Sequence, residues 1–185
     1  MIQLQLYTGQ EAEMLPLIRG FWLAHNDHRQ SEDEAREDLQ AWTADGHVLY
    51  FICEDGTPAG FVHLGSRGGA ADWLEDLFVL PARQGRGIGT QAVRLAEEIV
   101  RQYSESMYIE AAARNLAAIR LYRRLGYDCL NTITIRKDFP GYAYDVVSKE
   151  RVCRQEFEIR KDKETPEYGV SFRVRRARFL LPPEG

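Results

Sequence analysis

The chain has 185 residues, 24 Lys and Arg against 28 Asp and Glu, and a formal net charge of −4 at pH 7. This length suffices for one domain with a full core, and the acidic balance gives no reason to expect nucleic acid as a bulk partner. No apolar run approaches membrane-spanning length, and the N-terminus lacks the basic and apolar regions of a signal peptide.

Cysteine usage indicates a reducing compartment. Three cysteines are widely spaced, and they have no spacing with His that is typical of a metal site. We therefore predict a cytoplasmic protein without a metal, and we expect reduced, buried thiols at Cys53, Cys129 and Cys153.

Hydrophobic periodicity predicts a strand, two helices and three antiparallel strands in the first part of the chain. Ser31 and Glu34 form a capping-box signature for the second helix, and Asp55 with Gly56 indicates a hairpin turn. The acidic residues between 27 and 45 are either a solvated helix face or a rim that attracts a cationic amine. The predicted elements are a strand at 2–7, helices at 11–24 and 32–44, and strands at 48–54, 59–64 and 73–80.

Three glycines crowd residues 84–90, between the strand at 73–80 and a helix predicted at 91–103. Glycine lets the backbone approach a ligand closely, and a helix N-terminus offers unpaired N–H groups and a partial positive charge. This segment therefore predicts an anion site, most often one for a phosphate.

The last part of the chain is predicted to contain one helix and several strands. Asn115 is a favoured N-cap and Gly126 a favoured C′ residue for a helix at 115–125. The final strand alternates apolar and basic residues, which indicates either a charged edge strand or a strand that pairs with a second subunit in a homodimer. Strands are predicted at 106–111, 127–137, 149–161 and 169–181, with an irregular connection at 138–148.

Two motifs carry a family resemblance. QGRGIG at residues 84–89 matches Q/R-x-x-G-x-G/A and follows a strand that ends in V-x-P, and NLAAIRLYRRLGY at 115–127 matches N-x-x-A-I-x-L-Y-x-x-x-G-F/Y. With Glu110 on the strand between them, the chain resembles the GNAT superfamily of acetyl-coenzyme A-dependent N-acetyltransferases. The resemblance implies a mixed α/β fold with a twisted, mainly antiparallel sheet flanked by helices. It covers residues 1–161, which leaves 162–185 as a C-terminal extension with an extra strand.

The resemblance also implies how acetyl-coenzyme A, the co-substrate, is held. Backbone N–H groups of the glycine-rich turn would cradle the pyrophosphate, and the end of the preceding strand would pair with the peptide-like pantetheine. Asn115 would hold the pantetheine from the other side, in addition to its capping role. The implied coenzyme-binding residues are Phe78, Val79, Gln84, Gly85, Arg86, Gly87, Ile88, Gly89, Thr90, Asn115 and Tyr122.

For catalysis, the resemblance implies that Tyr122 is the general acid that protonates the leaving thiolate. The alternative is an aromatic core residue, since Tyr122 shares a helix face with core positions. Glu75 is our preferred base and Glu110 the second candidate, and the alternative for either is a salt bridge to an arginine. Because side chains alternate along a strand, we expect Glu75 and Asp76 on opposite faces, with Glu75 on that of Leu77 and Val79.

We therefore predict an N-acetyltransferase that acts on a primary amine by direct attack in a ternary complex, without nucleic acid, membrane or metal. The acidic segment favours a small cationic amine, such as an aminoglycoside or polyamine. Alternatives are a protein N-terminus or lysine, which Glu110 favours, and a non-catalytic sensor of coenzyme A. A dinucleotide-binding fold, suggested by G-x-G-x-x-A at residues 87–92, is disfavoured because residues 81–86 separate strand from glycine and no second βαβ half follows.

Overall fold

The computed structural model describes residues 1–163, and the chain divides into two compact units after Asp128. The predicted strand at 169–181 and nearly all of the predicted extension lie outside the described residues, so the domain boundary at 161/162 stays a prediction. The first unit contains β1 Ile2–Leu6, α1 Glu11–Asn26, α2 Glu32–Trp42, β2 His47–Glu54, β3 Thr57–Gly65, β4 Trp73–Val79, a 3₁₀ turn at Pro81–Arg83, α3 Ile88–Val100, β5 Tyr108–Ile109 and α4 Leu116–Leu125.

A five-stranded sheet in the order β1-β2-β3-β4-β5 forms the centre of this unit. Neighbouring strands are antiparallel except for β4 and β5, which are parallel. The β2–β3 connection is the predicted tight turn at Asp55 and Gly56, where both residues have positive φ angles. The predicted fold class, a mainly antiparallel sheet with flanking helices, is confirmed.

Helices α1 and α2 cover one face of the sheet, which we call the first face. Their apolar side chains pack on alternate residues of β2, β3 and β4, as period-2 alternation requires. Ser31 caps α2 by the predicted capping box, accepting from the Glu34 N–H while the Glu34 carboxylate accepts from the Ser31 N–H. The first-face core comprises Met14, Leu15, Leu17, Ile18, Phe21, Ala35, Leu39, Leu49, Phe51, Cys53, Phe61 and Phe78.

Helix α3 covers the opposite, second face, and side chains of α4 pack there as well. The intervening residues of the same strands point to this side, so the sheet is buried between two helical layers. The buried second-face core comprises Ile52, Val62, Leu64, Leu74, Ile88, Ala92, Val93, Ala96 and Val100, and Leu77, Val79, Tyr122 and Leu125 pack against it. Within residues 1–163, no helix has the length and apolar character that a membrane crossing needs.

The second unit, in its described part, contains an antiparallel hairpin of β6 Tyr144–Val152 and β7 Gln155–Asp162. Residues 128–139 have no regular structure, so the predicted strand at 127–137 is wrong. The single strand predicted at 149–161 is two strands, because Cys153 and Arg154 form a turn with φ angles of 50° and 64°. Cys53 is buried as expected, whereas Cys129 and Cys153 are exposed; all three are free thiols.

Candidate functional site

The parallel strands β4 and β5 separate shortly after they begin. They pair only where Trp73 faces Tyr108 and Leu74 faces Ile109. β4 then continues to Val79, whereas β5 ends. Among the described residues, the β5-side edge of β4 therefore has no strand partner from Glu75 onward. This wedge-shaped opening lies beside α4 and leads towards the glycine-rich turn.

The glycine-rich turn places a helix N-terminus at the end of that opening. α3 begins at Ile88, three residues before the predicted start, so Ile88, Gly89 and Thr90 form its first turn. Gly87 is the N-cap and supplies no side-chain bond to the first N–H groups. Gly85 and Gly87 have φ angles of 74° and 77°, and a Cβ on either would meet no atom within 4 Å. The turn is therefore open, with unpaired donors.

Polar side chains brace the turn from behind. Glu54, whose side chain is 12% exposed, accepts from Arg86 Nη2 at 2.7 Å and also pairs with Arg83. The Gln84 amide donates to the Val79 carbonyl oxygen at 2.8 Å. Gln84 and Arg86 thus hold the turn against β2 and β4.

Helix α4 carries the second motif. The Asn115 side chain accepts a hydrogen bond from the Ala118 N–H at 3.1 Å, which confirms the predicted N-cap. The half-buried ring of Tyr122 packs on the second-face core and stands edge-on to Tyr127 at 5.9 Å. Burial raises the pKa of Tyr122, and the Asp76 carboxylate raises it further. Tyr122 therefore has the core packing that was the alternative to a catalytic role. Its role as the general acid stays a prediction.

A β-bulge in β4 changes which carboxylates share a face. His63 pairs with Asp76 and Leu64 with Leu74, so Glu75 is the inserted residue of a bulge in β4. A Cβ on Gly65 would lie 2.9 Å from Glu75 Oε1, and Gly65 alternates with His63 on the first face. Glu75 and Asp76 are therefore both on the first face, and the expectation that they point to opposite faces is wrong. Glu75 also does not share the face of Leu77 and Val79, which pack on the second core.

Asp76 begins a hydrogen-bonded series of two imidazoles, which we call the imidazole chain. His63 Nδ1 lies 2.8 Å from Asp76 Oδ2, and His63 Nε2 lies 2.9 Å from His47 Nδ1. His63 is buried and stacks on Trp42, with ring centroids 5.0 Å apart. His47 lines a surface pocket beside Thr43.

Arg67 connects the two carboxylates that the sequence predicted as bases. Its Nη2 lies 2.7 Å from Glu110 Oε2 and 3.3 Å from Glu75 Oε2. The guanidinium also lies 3.6 Å from the ring centroid of Trp73, which stacks on Tyr108. We call Arg67, Glu75 and Glu110 the arginine cluster; it contains the salt bridges that were the alternative to a catalytic role.

The acidic residues of α2 largely serve structure. Arg36 pairs with Glu11, Glu32 and Asp33 on the exposed side of the helix. Asp38 accepts from the Trp22 indole N–H at 2.8 Å. Within residues 1–163, no group of three or more His, Cys, Asp or Glu side chains is arranged to hold a metal ion.

Comparison with known families agrees with this geometry. The sequence profile of the acetyltransferase (GNAT) family matches residues 14–127, more than half of the chain. The chain belongs to the GNAT family. The match includes the glycine-rich turn, the open edge of β4 and α4 up to Tyr127. Among curated proteins, none matches the sequence significantly.

Solved structures resemble this GNAT chain at low sequence identity. Aminoglycoside N-acetyltransferase AAC(6')-Iy in complex with CoA has a TM-score of 0.57 at 17% identity, over 75% of this chain and 95% of that chain. Its complex with the bisubstrate analog CoA-S-monomethyl-acetylneamine has the same TM-score and identity, over 75% and 99%. A possible acetyltransferase from Clostridium difficile 630 has a TM-score of 0.61 at 11% identity, over 75% and 99%. At these identities the likeness shows the fold alone.

In this GNAT chain, the predicted coenzyme residues of β4 and of the turn follow one another from Phe78 and Val79 to the α3 N-terminus, whereas Asn115 and Tyr122 belong to α4 and its N-cap. Glu75 and Glu110 meet at Arg67. Sequence reasoning missed His47, His63 and Arg67. The isolated histidines carried no motif, and only the strand register places them beside Asp76.

Proposed function

We propose that the protein is an acetyl-coenzyme A-dependent N-acetyltransferase that acts on a primary amine. The observation that carries this proposal is the position of the open edge of β4. This edge runs from the first-face carboxylates of Glu75 and Asp76 to the N-terminus of α3, which has no side-chain cap. One strand therefore connects a site for a cation with a site for a phosphate.

The turn fits a coenzyme A pyrophosphate. The open space at Gly85 and Gly87 leaves room for phosphate oxygens, and the N–H groups of Ile88, Gly89 and Thr90 are without side-chain caps. Phe78 and Val79 lie on the unpaired edge, where an extended pantetheine can add as a strand. Asn115 Oδ1 already accepts from the Ala118 N–H, so the side-chain NH₂ of Asn115 is the group that we propose for pantetheine. When bound, acetyl-coenzyme A supplies a thioester activated for acyl transfer.

Acetyl transfer requires a neutral amine, a polarised carbonyl and a protonated leaving thiolate. We assign the protonation of the thiolate to Tyr122. Its pKa is raised by burial and by Asp76, so the phenol keeps its proton throughout the neutral range. The sequence-based candidates for the base, Glu75 and then Glu110, remain candidates, although both are engaged by Arg67.

We propose that the acceptor is a small cationic amine, such as an aminoglycoside or polyamine. Three carboxylates, those of Glu75, Asp76 and Glu110, lie on or beside β4 where its edge opens. Arg67 offsets only part of their negative charge, and the remainder attracts a cation. One structural neighbour with a similar fold is an aminoglycoside N-acetyltransferase. A protein N-terminus or lysine is the second candidate, favoured by the side chain of Glu110, which is 60% exposed.

The test is a screen of acceptors with acetyl-coenzyme A, in which release of free thiol is measured. Aminoglycosides, polyamines, N-terminal peptides and lysine peptides form the panel, and hydrolysis without acceptor is the baseline. We expect thiol release above baseline with a small polycationic amine. Tight binding of coenzyme A without turnover on any amine would instead favour the sensor, and turnover confined to peptides would favour the second candidate.

A further inference from the structure

This inference rests on the proposed function and concerns which group takes the proton from the amine. Asp76 is the first-face carboxylate that interacts electrostatically with Tyr122. It also raises the pKa of His25 on α1, against the lowering effects of burial and Arg114. Asp76 therefore lies among residues of α1, α4 and the open edge of β4. This is where an acceptor on the first face would meet a thioester on the second.

The carboxylate of Asp76 is held by one of its two oxygens. Oδ2 is bonded to His63 Nδ1 at 2.8 Å. Among residues 1–163, His63 is the only hydrogen-bond partner of the Asp76 side chain. This side chain is 22% exposed. Oδ1 therefore faces a partly solvated space without a protein donor, as a carboxylate that accepts a substrate proton requires.

His63 is in turn held rigidly. It is buried, stacked on Trp42, and bonded through Nε2 to His47. Because its ring is fixed on both sides, His63 keeps its Nδ1–H directed at Asp76. The imidazole chain therefore fixes the tautomer of His63 and the orientation of the Asp76 carboxylate. A buried histidine with both ring nitrogens bonded is more than a packing residue, since an apolar side chain would fill the same space without orienting Asp76.

The two carboxylates of the arginine cluster are less suited to the role. Arg67 holds Glu110 at 2.7 Å and Glu75 at 3.3 Å, and a neighbouring guanidinium favours the ionised carboxylate over the protonated one. Taking up a proton would therefore weaken these ion pairs. Asp76 is instead bonded to the imidazole of His63 and has no guanidinium partner within residues 1–163.

We propose that Asp76 is the catalytic base and that His63, supported by His47, is its positioning residue. The acceptor ammonium gives one proton to Asp76 Oδ1, and its nitrogen lone pair then forms the C–N bond with the acetyl carbon while the C–S bond breaks. The sulfur takes the electron pair and a proton from Tyr122. The nitrogen then loses a second proton, which returns to Tyr122, and Asp76 releases its proton to solvent. The balance is one amide, one thiol and one proton.

The decisive experiment compares Asp76→Asn with Asp72→Asn, on an acceptor that the wild type acetylates. Asp72 accepts from Ser104 Oγ at 3.0 Å before β4 begins and has no role in the proposed chemistry. We expect Asp76→Asn to lower kcat roughly 10²–10⁴-fold, with an unchanged KM for acetyl-coenzyme A. Asp72→Asn should retain wild-type kcat.

The positioning role is tested by His63→Asn and His63→Leu. The Asn side-chain amide can replace Nδ1–H towards Asp76, whereas Leu cannot, so His63→Asn should retain at least tenfold more kcat than His63→Leu. Equal loss in both, with coenzyme A binding intact, would overturn the positioning role.

An Asp76→Asn enzyme with near wild-type kcat would overturn the assignment of the base while the proposed function stands. The same follows if Glu75→Gln or Glu110→Gln loses activity by 10²-fold or more and Asp76→Asn does not. A wild type that transfers acetyl to no amine would overturn both the assignment and the proposed function.

Discussion

The cradle for the coenzyme A pyrophosphate can be tested by adding a single methyl group at Gly87. Gly87 has a φ of 77°, and Gly56, in the β2–β3 turn, has a φ of 81°; a Cβ on either meets no atom within 4 Å. Alanine in this left-handed region costs about 1–2 kcal/mol. Gly87→Ala and Gly56→Ala should therefore lower Tm by similar amounts, about 2–8 °C for a chain of this size.

Only one of the two variants should affect coenzyme A. The methyl of Gly87→Ala enters the space in front of the first N–H groups of α3, and a hydrogen bond to a charged group contributes about 1.5–3 kcal/mol. Losing one such bond raises Kd roughly 10- to 150-fold. Isothermal titration calorimetry with coenzyme A measures this, with Gly56→Ala as the control for backbone strain. Equal Kd values for the two variants would refute the cradle.

Three further predictions concern α4 and its phenol. Tyr122→Phe keeps the ring against Tyr127 and should lower kcat about 10²-fold or more, with little change in coenzyme A affinity; equal activity would remove Tyr122 as the acid. Burial raises the pKa of Tyr122, so the phenol stays protonated from pH ~7 to ~9. Over this range, wild-type kcat should therefore not fall relative to the kcat of Tyr122→Phe. Asn115→Ala and Ser31→Ala each remove an N-cap and should cost about 1 kcal/mol in thermal melts, but only Asn115→Ala should raise the Kd of coenzyme A; equal Kd values would limit Asn115 to capping.

Local signals predicted most of the first unit because they act within one element. The Ser31–Glu34 capping box, the Asp55–Gly56 turn and the Asn115 cap each form between neighbours in sequence, and the structure shows all of them. Glycine at positions 85 and 87 likewise indicates the open turn. The prediction placed the start of α3 three residues late, since glycine was taken as a mark of the turn while Gly89 is helical.

Features that depend on pairing between strands were not predictable from one sequence. The bulge at Glu75 exists because β3 and β4 share a register that changes between His63 and Leu64. That register brings Asp76 to the first face and next to His63. The strand predicted at 127–137 shows the converse: alternation gives no strand unless a partner strand completes the ladder, and none does so within residues 1–163.

The most direct test of the account follows the acetyl group itself. Acetyl-coenzyme A with an isotope-labelled acetyl is incubated with the protein and a small polycationic amine, and the product is examined by mass spectrometry and NMR. The account predicts the labelled acetyl on a primary amine nitrogen, with one free thiol per acetyl transferred. Label that remains on coenzyme A, or is released as acetate at the rate seen without amine, would contradict it.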